Sequence, residues 1–482
     1  MSRRVAFVAT VGSGAELVVR QGGQFVILLV LARLATPADF GTVALLGVVV
    51  GVAVVVADAG LTTALLQAPE VSDADLDTAF WTTVAAGSAL TVLGVAAAAP
   101  LASAVGRPAL GGTAALLSVA VLGSAVGLVP SAVLVRRRAF GRLLVSGAVG
   151  VLLGGGIAVV VAAVGRPLLG LALLAVLVPC TTGVLTLILS GLRPRLRWER
   201  ASATRLLGAG RWVLAANVLD ATFLRVQVVV LGALFGPAAL GRYQRADSTQ
   251  QIAADTTSTV VGRVALPLFA ASAHRPDLVR AGYLTGVRSV TAVTAPVMAL
   301  LAALSTPVLE TVFGAQWSGA GPLLSVLAVS GLLYPLHSMA INVLYAMSLN
   351  HRVFRIDVVK KVLALAALAV GATFGVTGVA WAQVAFSVAA LVVNGLAVRA
   401  AVDLALGDQV RSAAAPAAVA VAVGVGVHLV ARAWEPAAWV EVLVLGASGA
   451  LLYLVGAVVL RVGAVTDLLA LARRPAQEVA GA

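Results

Sequence analysis

Residues 12–41 read GSGAELVVRQGGQFVILLVLARLATPADFG. This is the first strongly apolar stretch of the chain, yet it holds Glu16, Arg20, Gln21 and Gln24. Glu16, Arg20 and Gln24 follow at four-residue steps, which places them on one face of a helix. A charge at the centre of a bilayer helix costs about 2.5–3.5 kcal/mol on insertion scales, so that face should line protein or water rather than lipid. The end of the stretch has an echo 200 residues later: Leu31, Leu34, Pro37, Ala38 and Gly41 return as Leu231, Leu234, Pro237, Ala238 and Gly241. One polar-striped helix, used twice, is the first clue to how the chain is built.

Composition sets the class. Of 482 residues, 61% are hydrophobic and 11% charged, where a soluble domain has about a quarter charged. A spanning helix needs about 20 apolar residues. The pattern predicts an all-α, polytopic membrane protein with about fourteen transmembrane helices and short connections. The net charge of +13 is mostly arginine, with Lys360 and Lys361 the two lysines. On a soluble chain that balance would suggest nucleic acid. Here the arginines cluster in alternate loops, and no nucleic-acid partner is expected. With both termini on the cytoplasmic side, the positive-inside rule is obeyed. The exception is the acidic second loop, PEVSDADLD (69–77), which has no positive charge. The single Cys180 excludes an intrachain disulfide and a thiolate cluster. The opening Met-Ser-Arg-Arg leads into an apolar stretch with no small-residue cleavage site, and reads as a retained first span.

The 200-residue echo joins spans one and seven, which run in the same direction. That is a parallel repeat, with a binding site expected between its halves. The expected organisation is an N-terminal six-helix lobe over 1–190, a cytoplasmic interfacial linker over 191–205, a C-terminal six-helix lobe over 206–400, and two extra, more peripheral helices with a short tail over 401–482. The linker GLRPRLRWERASATR mixes arginine, tryptophan and short apolar content, which suits a membrane surface.

Further polar groups fall in the expected spans. Span seven carries Asn217, Asp220, Arg225 and Gln227. Span eight carries Asp247, Gln250, Gln251, Asp255 and Arg263, with Asp247, Gln251 and Asp255 at four-residue steps. Asp58 in span two reads more simply as a cap or brace, and His337 in span ten as a satisfied interior histidine. Gly154, Gly155 and Gly156 read as close helix packing rather than phosphate binding. No GxxxxGK[ST], no GxSxG and no His/Cys/carboxylate run with metal spacing occurs. No cofactor, metal or catalytic residue is expected.

The stretch LARLATPADFGTVALLGVVVGVAVVVADAGLTTALLQ (31–67) resembles the polysaccharide transporter family, the Wzx-type lipid-linked oligosaccharide flippases of the MOP, or MATE-like, superfamily. The family opens with an L-A-R-L-L-T-P-x-D-F-G pattern and continues with D-x-G-L-x-x-A-L-[IV]-Q before an acidic loop. Here these fall at residues 31–41 and 58–67. The likeness continues at Val129-Pro130-Ser131, at residues 231–243, at Gly262-Arg263-Val264 with Pro267, and at Phe313-Gly314-Ala315-Gln316-Trp317, covering about residues 5–400. It implies two six-helix lobes plus two helices and a cavity that opens alternately to each side. It implies export of polyprenyl-diphosphate-linked oligosaccharide units for exopolysaccharide, O-antigen or teichuronic-type surface polymers across the plasma membrane. Members often carry an acid near the middle of span seven, and Gln227 stands close to that place here. The span-seven and span-eight acids would then have to serve any coupling.

Physical chemistry agrees with such a cargo. A diphosphate wants arginines in a low-dielectric cavity, and sugars want amides, carboxylates and phenols. Arg20 and Arg225 are the expected diphosphate contacts, with Arg263 at an inner gate. Gln24, Asn217, Gln227, Gln250 and Gln251 are the expected sugar contacts. Glu16, Asp220, Asp247 and Asp255 are the candidate carriers of H+ or Na+. The expected partners are the lipid-linked sugar, the bilayer and a polysaccharide polymerase. A MATE-like ion-coupled small-molecule exporter is the alternative. A membrane polysaccharide polymerase or ligase is weaker, because the longest expected outer connection (305–319) lacks Arg and His.

Overall fold

The computed structural model describes residues 22–104, 107–271, 275–347, 349–434 and 436–460, and within them all side chains except those at 101, 104, 212, 255–271, 276 and 350. Among the described residues the chain is helical throughout, with no strand. It forms two compact units, Met1–Gly241 and Arg242–Ala482.

The first unit starts with α1 (Gly22–Leu34). It continues with α2 (Pro37–Asp58), the short α3 (Leu61–Gln67), α4 (Asp73–Ala104), α5 (Gly111–Arg136), α6 (Phe140–Ala163) and α7 (Pro167–Ser190). The first arm of α8 (Arg200–Ala271) closes it, and that helix bends at Gly236, where φ is 81° and ψ is 170°. The α1–α2 break is set by local chemistry. Thr36 takes an extended conformation ahead of Pro37, as a residue before proline prefers. Asp39 N donates to Thr36 Oγ1 at 3.3 Å, and Thr36 N donates to Asp39 Oδ2 at 2.9 Å. This is a reciprocal capping box. At the other end of α2, Ala59 and Gly60 both take positive φ. Asp58 then accepts from Thr62 N at 3.2 Å and from the Thr62 hydroxyl, so it caps α3. The simpler reading of Asp58 is the correct one.

Small residues bring these helices together. A Cβ on Gly154 would stand 2.8 Å from Val178 N of α7, and one on Gly127 would stand 2.9 Å from the Gly183 Cα. In the glycine run at 154–156, Gly154 and Gly155 are therefore packing chemistry, while Gly156 has nothing within 4 Å of its Cβ position. The echoed motif makes a reciprocal version of the same contact. A Cβ on Gly41 would overlap the Pro237 carbonyl oxygen, and a Cβ on Gly241 would overlap the Pro37 carbonyl oxygen.

The second unit takes the remainder of α8, then α9 (Pro276–Ala303), α10 (Ser305–Phe313), α11 (Gly321–Gly331), α12 (Tyr334–Ala346), α13 (Asn350–Ala372), α14 (Gly375–Val402), α15 (Leu406–Ala433) and α16 (Ala438–Val459). One of its core clusters packs Tyr283, Val287 and Val290 of α9 against Leu336, Met339 and Val343 of α12 and Val398 of α14. Polar groups inside it are paired. The Tyr283 hydroxyl donates to Gln409 Oε1 at 3.0 Å, and Gln409 Nε2 donates to the Gly395 and Leu404 carbonyls, each at 3.0 Å. α15, expected at the periphery, packs along α9: a Cβ on Gly424 would stand 3.0 Å from the Ala299 carbonyl oxygen. α16 is tied to the same helix by the Tyr453 hydroxyl, which donates to the Ala292 carbonyl at 2.8 Å.

Among the described residues, ten helices are long and apolar enough to cross a membrane, or eleven with the bent α11–α12 pair taken as one span. One of the ten, Val213–Ala254, is 42 residues long and contains the Gly236 bend, so it holds two of the expected spans. Adding α1 and α13 to these accounts for the fourteen expected from the sequence. Two details differ from the sequence reading. The expected tenth span is broken by 40° between α11 and α12, ahead of Pro335, whose ring disrupts a helix interior. The expected outer connection at 305–319 is not a loop: it is α10 followed by the 3-10 turn Ala315–Ala320, with Trp317 fully buried.

Candidate functional site

The first arm of α8 carries the polar residues of span seven. Asn217 and Asp220 are exposed, while Arg225 and Gln227 are half-buried. Arg225 lies eleven residues before the Gly236 bend, near the middle of the arm. It packs on α2 at Gly51: an added Cβ there would stand 2.7 Å from both Cζ and Nε of Arg225, and closer still to Nη2. Among the described residues no carboxylate is within ion-pair distance of this guanidinium. Gln24 is exposed on α1. Glu16 and Arg20 lie outside the described residues.

In the second unit, Gln251 Nε2 donates to Asp247 Oδ2 at 2.8 Å, one helical turn apart. Asp247 is half-buried and Gln251 exposed. Gln250 is buried on another face, where its amide nitrogen would lie 2.6 Å from a Cβ on Gly331 at the α11–α12 break. It is therefore part of the interior packing and stands apart from the Asp247–Gln251 pair. The side chains of Asp255 and Arg263 lie outside the described set. His337 sits beside Asn394, with Nδ1 and Nδ2 3.2 Å apart.

Two arrangements escaped the sequence reading. Arg245, on the same turn of α8 as Asp247, is 6% exposed, with Cζ 4.7 Å from the Phe313 ring centroid and 5.2 Å from that of Trp317. This is a desolvated cation–π seat. The aromatics belong to a motif that the sequence reading singled out, but nothing local ties them to an arginine about seventy positions away.

The second arrangement involves the acidic loop. Asp75 pairs with Arg205, and Arg195 N donates to Asp77 Oδ1 at 3.0 Å. Glu199 N donates to Thr78 Oγ1 at 3.1 Å, and Trp81 Nε1 donates to the Arg195 carbonyl at 2.8 Å. The start of α4 thus holds the 191–205 linker like a strap, and the two acids are 3% and 5% exposed. Two of the loop's four acids, Asp75 and Asp77, thus serve this contact. Nearby arginines act similarly on helix ends. Arg136 Nη1 donates to the Leu65 and Ala68 carbonyls at 2.6 Å each, and Arg137 Nη1 to the Ser190 carbonyl at 2.8 Å. Carbonyls at helix C-termini lack intrahelical partners, and cations there also suit the helix dipole. Among the described residues no group of three or more His, Cys, Asp or Glu side chains could hold a metal ion.

This is a bundle of apolar helices with an arginine near mid-span that has no carboxylate partner among the described residues, and a motif repeated at matching helix breaks. Residues 30–322 match the family described as Polysaccharide biosynthesis protein. The chain belongs to that family. The match takes in both repeat copies and the FGAQW motif, so the resemblance read from those residues is borne out. Within the Polysaccharide biosynthesis protein family, the chain is 28% identical to Succinoglycan biosynthesis transport protein ExoT of Rhizobium meliloti (strain 1021) over 321 residues, 65% of this chain and 64% of that one. It is 25% identical to Lipopolysaccharide biosynthesis protein WzxC of Escherichia coli (strain K12) over 351 residues, 71% of this chain and 70% of that one. The matched part thus spans slightly less than two thirds of ExoT. Among solved structures, the fold is similar to that of Lipid II flippase MurJ in an inward closed conformation, with a TM-score of 0.71 over 95% of this chain and 100% of that one. At 12% identity that likeness speaks for the fold alone.

Proposed function

We propose that this protein is a flippase that carries polyprenyl-diphosphate-linked oligosaccharide from the inner to the outer leaflet of the plasma membrane, by alternating access, during cell-surface polysaccharide synthesis. The observation that carries the reading is membership of the Polysaccharide biosynthesis protein family, with relatives named as transport and lipopolysaccharide biosynthesis proteins. The chemistry of the first unit supports it. Arg225, near mid-span and with no carboxylate partner among the described residues, costs stability in a bilayer. A diphosphate, with charged oxygens that accept a forked pair of hydrogen bonds, would repay that cost on binding.

In this reading Arg20 and Arg225 contact the diphosphate, and Gln24, Asn217 and Gln227 contact the sugar. In the second unit Gln251 is a further sugar contact and Arg263 an inner-gate contact, while the buried Gln250, expected from the sequence as a sugar contact, is left to the interior packing. Glu16, Asp220, Asp247 and Asp255 are the ion-coupling candidates, for H+ or Na+. The lobes run over 1–190 and 206–400 with the 191–205 linker between them, both termini are cytoplasmic, and a polysaccharide polymerase takes the product. The protein moves its cargo without changing it chemically.

Depletion tests the reading. It should cause a lipid-linked sugar to accumulate on the inner face while its synthesis continues; unchanged surface polymer and no accumulation would refute it. Arg20→Ala and Arg225→Ala variants present at normal levels should each lower export, and full export from both would remove the anion site. Neutralising Asp247 should change the pH or sodium dependence of transport if that residue carries the coupling ion.

A further inference from the structure

Glycines in the first unit serve two different ends. At Gly154, Gly127, Gly41 and Gly241, an added Cβ would meet the backbone of a neighbouring helix, so the missing side chain lets two helices approach. Gly51 is different. The three atoms nearest to its would-be Cβ are Nη2, Cζ and Nε of Arg225, with no backbone atom among them. The gap is occupied by the head of one charged side chain. Gly51 lies at the centre of its span, 14 residues after Pro37 and 16 before Gln67.

The arrangement of those three atoms matters. Cζ and Nε are equidistant from the Cβ position, with Nη2 closer still. A point so placed lies obliquely off the Nε–Nη2 side of the guanidinium, and Nη1 is not among the three nearest atoms. The N–H donors of arginine all lie in the plane of the group. The side turned to Gly51 is therefore Nε–Nη2, and the forked end made by Nη1 and Nη2 is left clear of that glycine. Such an edge fits paired anionic oxygens, as in a phosphate or diphosphate.

We infer that Gly51 is a positioning residue for Arg225: its bare backbone forms a notch that takes the Nε–Nη2 side of the guanidinium and leaves its Nη1–Nη2 fork to a diphosphate. The inference rests on the reading of Arg225 as an anion contact and adds the element that orients it. A methyl group at position 51 would meet the far end of a flexible side chain, so the guanidinium must move while α2 and α8 stay in place. Gly47, one turn earlier on α2, has nothing within 4 Å of its Cβ position. Gly47→Ala is thus a matched control, with the same gain in helix propensity and no contact with Arg225.

The test is titration of farnesyl diphosphate into the purified full-length protein in detergent, with the thermal unfolding midpoint of each variant recorded alongside. Arg225→Ala should weaken binding by about tenfold or more, the scale of losing a charge-assisted forked contact. Gly51→Ala should weaken it about fivefold with its midpoint no lower than that of Gly47→Ala, and Gly47→Ala should bind within about twofold of wild type. The double variant Gly51→Ala/Arg225→Ala should bind like Arg225→Ala alone, because the notch has nothing left to orient. If Arg225→Ala weakens binding and Gly51→Ala does not, the notch is refuted and the anion reading survives. A double variant that falls by the product of the two single effects also refutes the notch, since Gly51 then acts without Arg225. If Arg225→Ala binds like wild type, or if wild type does not bind the probe, the anion reading fails and the notch with it.

Discussion

The two copies of the repeated motif stop their helices at the same place by different means. Ahead of Pro37, Thr36 lies at φ −83° and ψ 160°, and a Thr36–Asp39 capping box satisfies the new helix start. Ahead of Pro237, Gly236 lies at φ 81° and ψ 170°, and Ala239 stands where the first copy has Asp39. Proline disfavours the helical region for the residue before it, so both copies must leave the helix there. One copy does so in a region open to any residue and stabilises the exit with side chains. The other uses a region that is essentially open to glycine alone. Beyond the break the copies converge again, because Gly41 and Gly241 each accept the carbonyl oxygen of the other copy's proline. What the duplication preserved is the backbone contact; how each copy reaches it was allowed to vary.

Substitutions can break this comparison in graded steps. The largest effect should come from the shared contact. Gly41→Val or Gly241→Val would drive side-chain carbon into a backbone carbonyl, costing about 2–3 kcal/mol each, with the double variant falling short of the sum since one interface is lost. Thermal unfolding of the purified protein reads this, and wild-type unfolding midpoints for Ala and Val at both positions would contradict the close approach. Next comes Gly236→Ala, which forces an L-residue into glycine's region and should cost about 1–3 kcal/mol. The smaller change Thr36→Gly keeps an allowed backbone and should cost only a few tenths of a kcal/mol. A reversal of that order would mean that the two exits are not built as described. The capping box itself should show an effect between these two. Thr36→Ala should cost about 1 kcal/mol, and adding Asp39→Ala should cost less than its own single effect because the box acts as a unit. Asp58→Ala, which removes the cap of α3, should cost a similar amount of about 1 kcal/mol in the same measurement.

Much of the fold was legible because a bilayer imposes length and apolarity on every span. The spans, the helix breaks at the prolines, the cap by Asp58 and the packing role of Gly154 and Gly155 all follow from neighbours within a few positions. The site was legible only as residue types. Arg225 stood out as a charge in an apolar arm, and the sequence reading set it on a polar stripe. Nothing in the sequence connected it to Gly51, 174 positions earlier. The acidic loop was noted as an exception to the charge rule, yet the partners of Asp75 and Asp77 lie in Arg205 and Arg195, more than a hundred positions further on. Arg245 went unremarked because its partners are two aromatic rings at the end of another helix.

By itself, then, the sequence determined that the chain is a bundle of membrane helices of the Polysaccharide biosynthesis protein family with one motif used twice, since periodicity, apolarity and short motifs act over one or two helical turns. The tertiary structure decided what the exceptional residues do. It turned an acidic loop into a clasp for the linker, buried one arginine against two aromatic rings, and set another into the notch left by a glycine. Each outcome depends on which helix faces lie within a few ångströms of one another, a distance that local sequence does not encode.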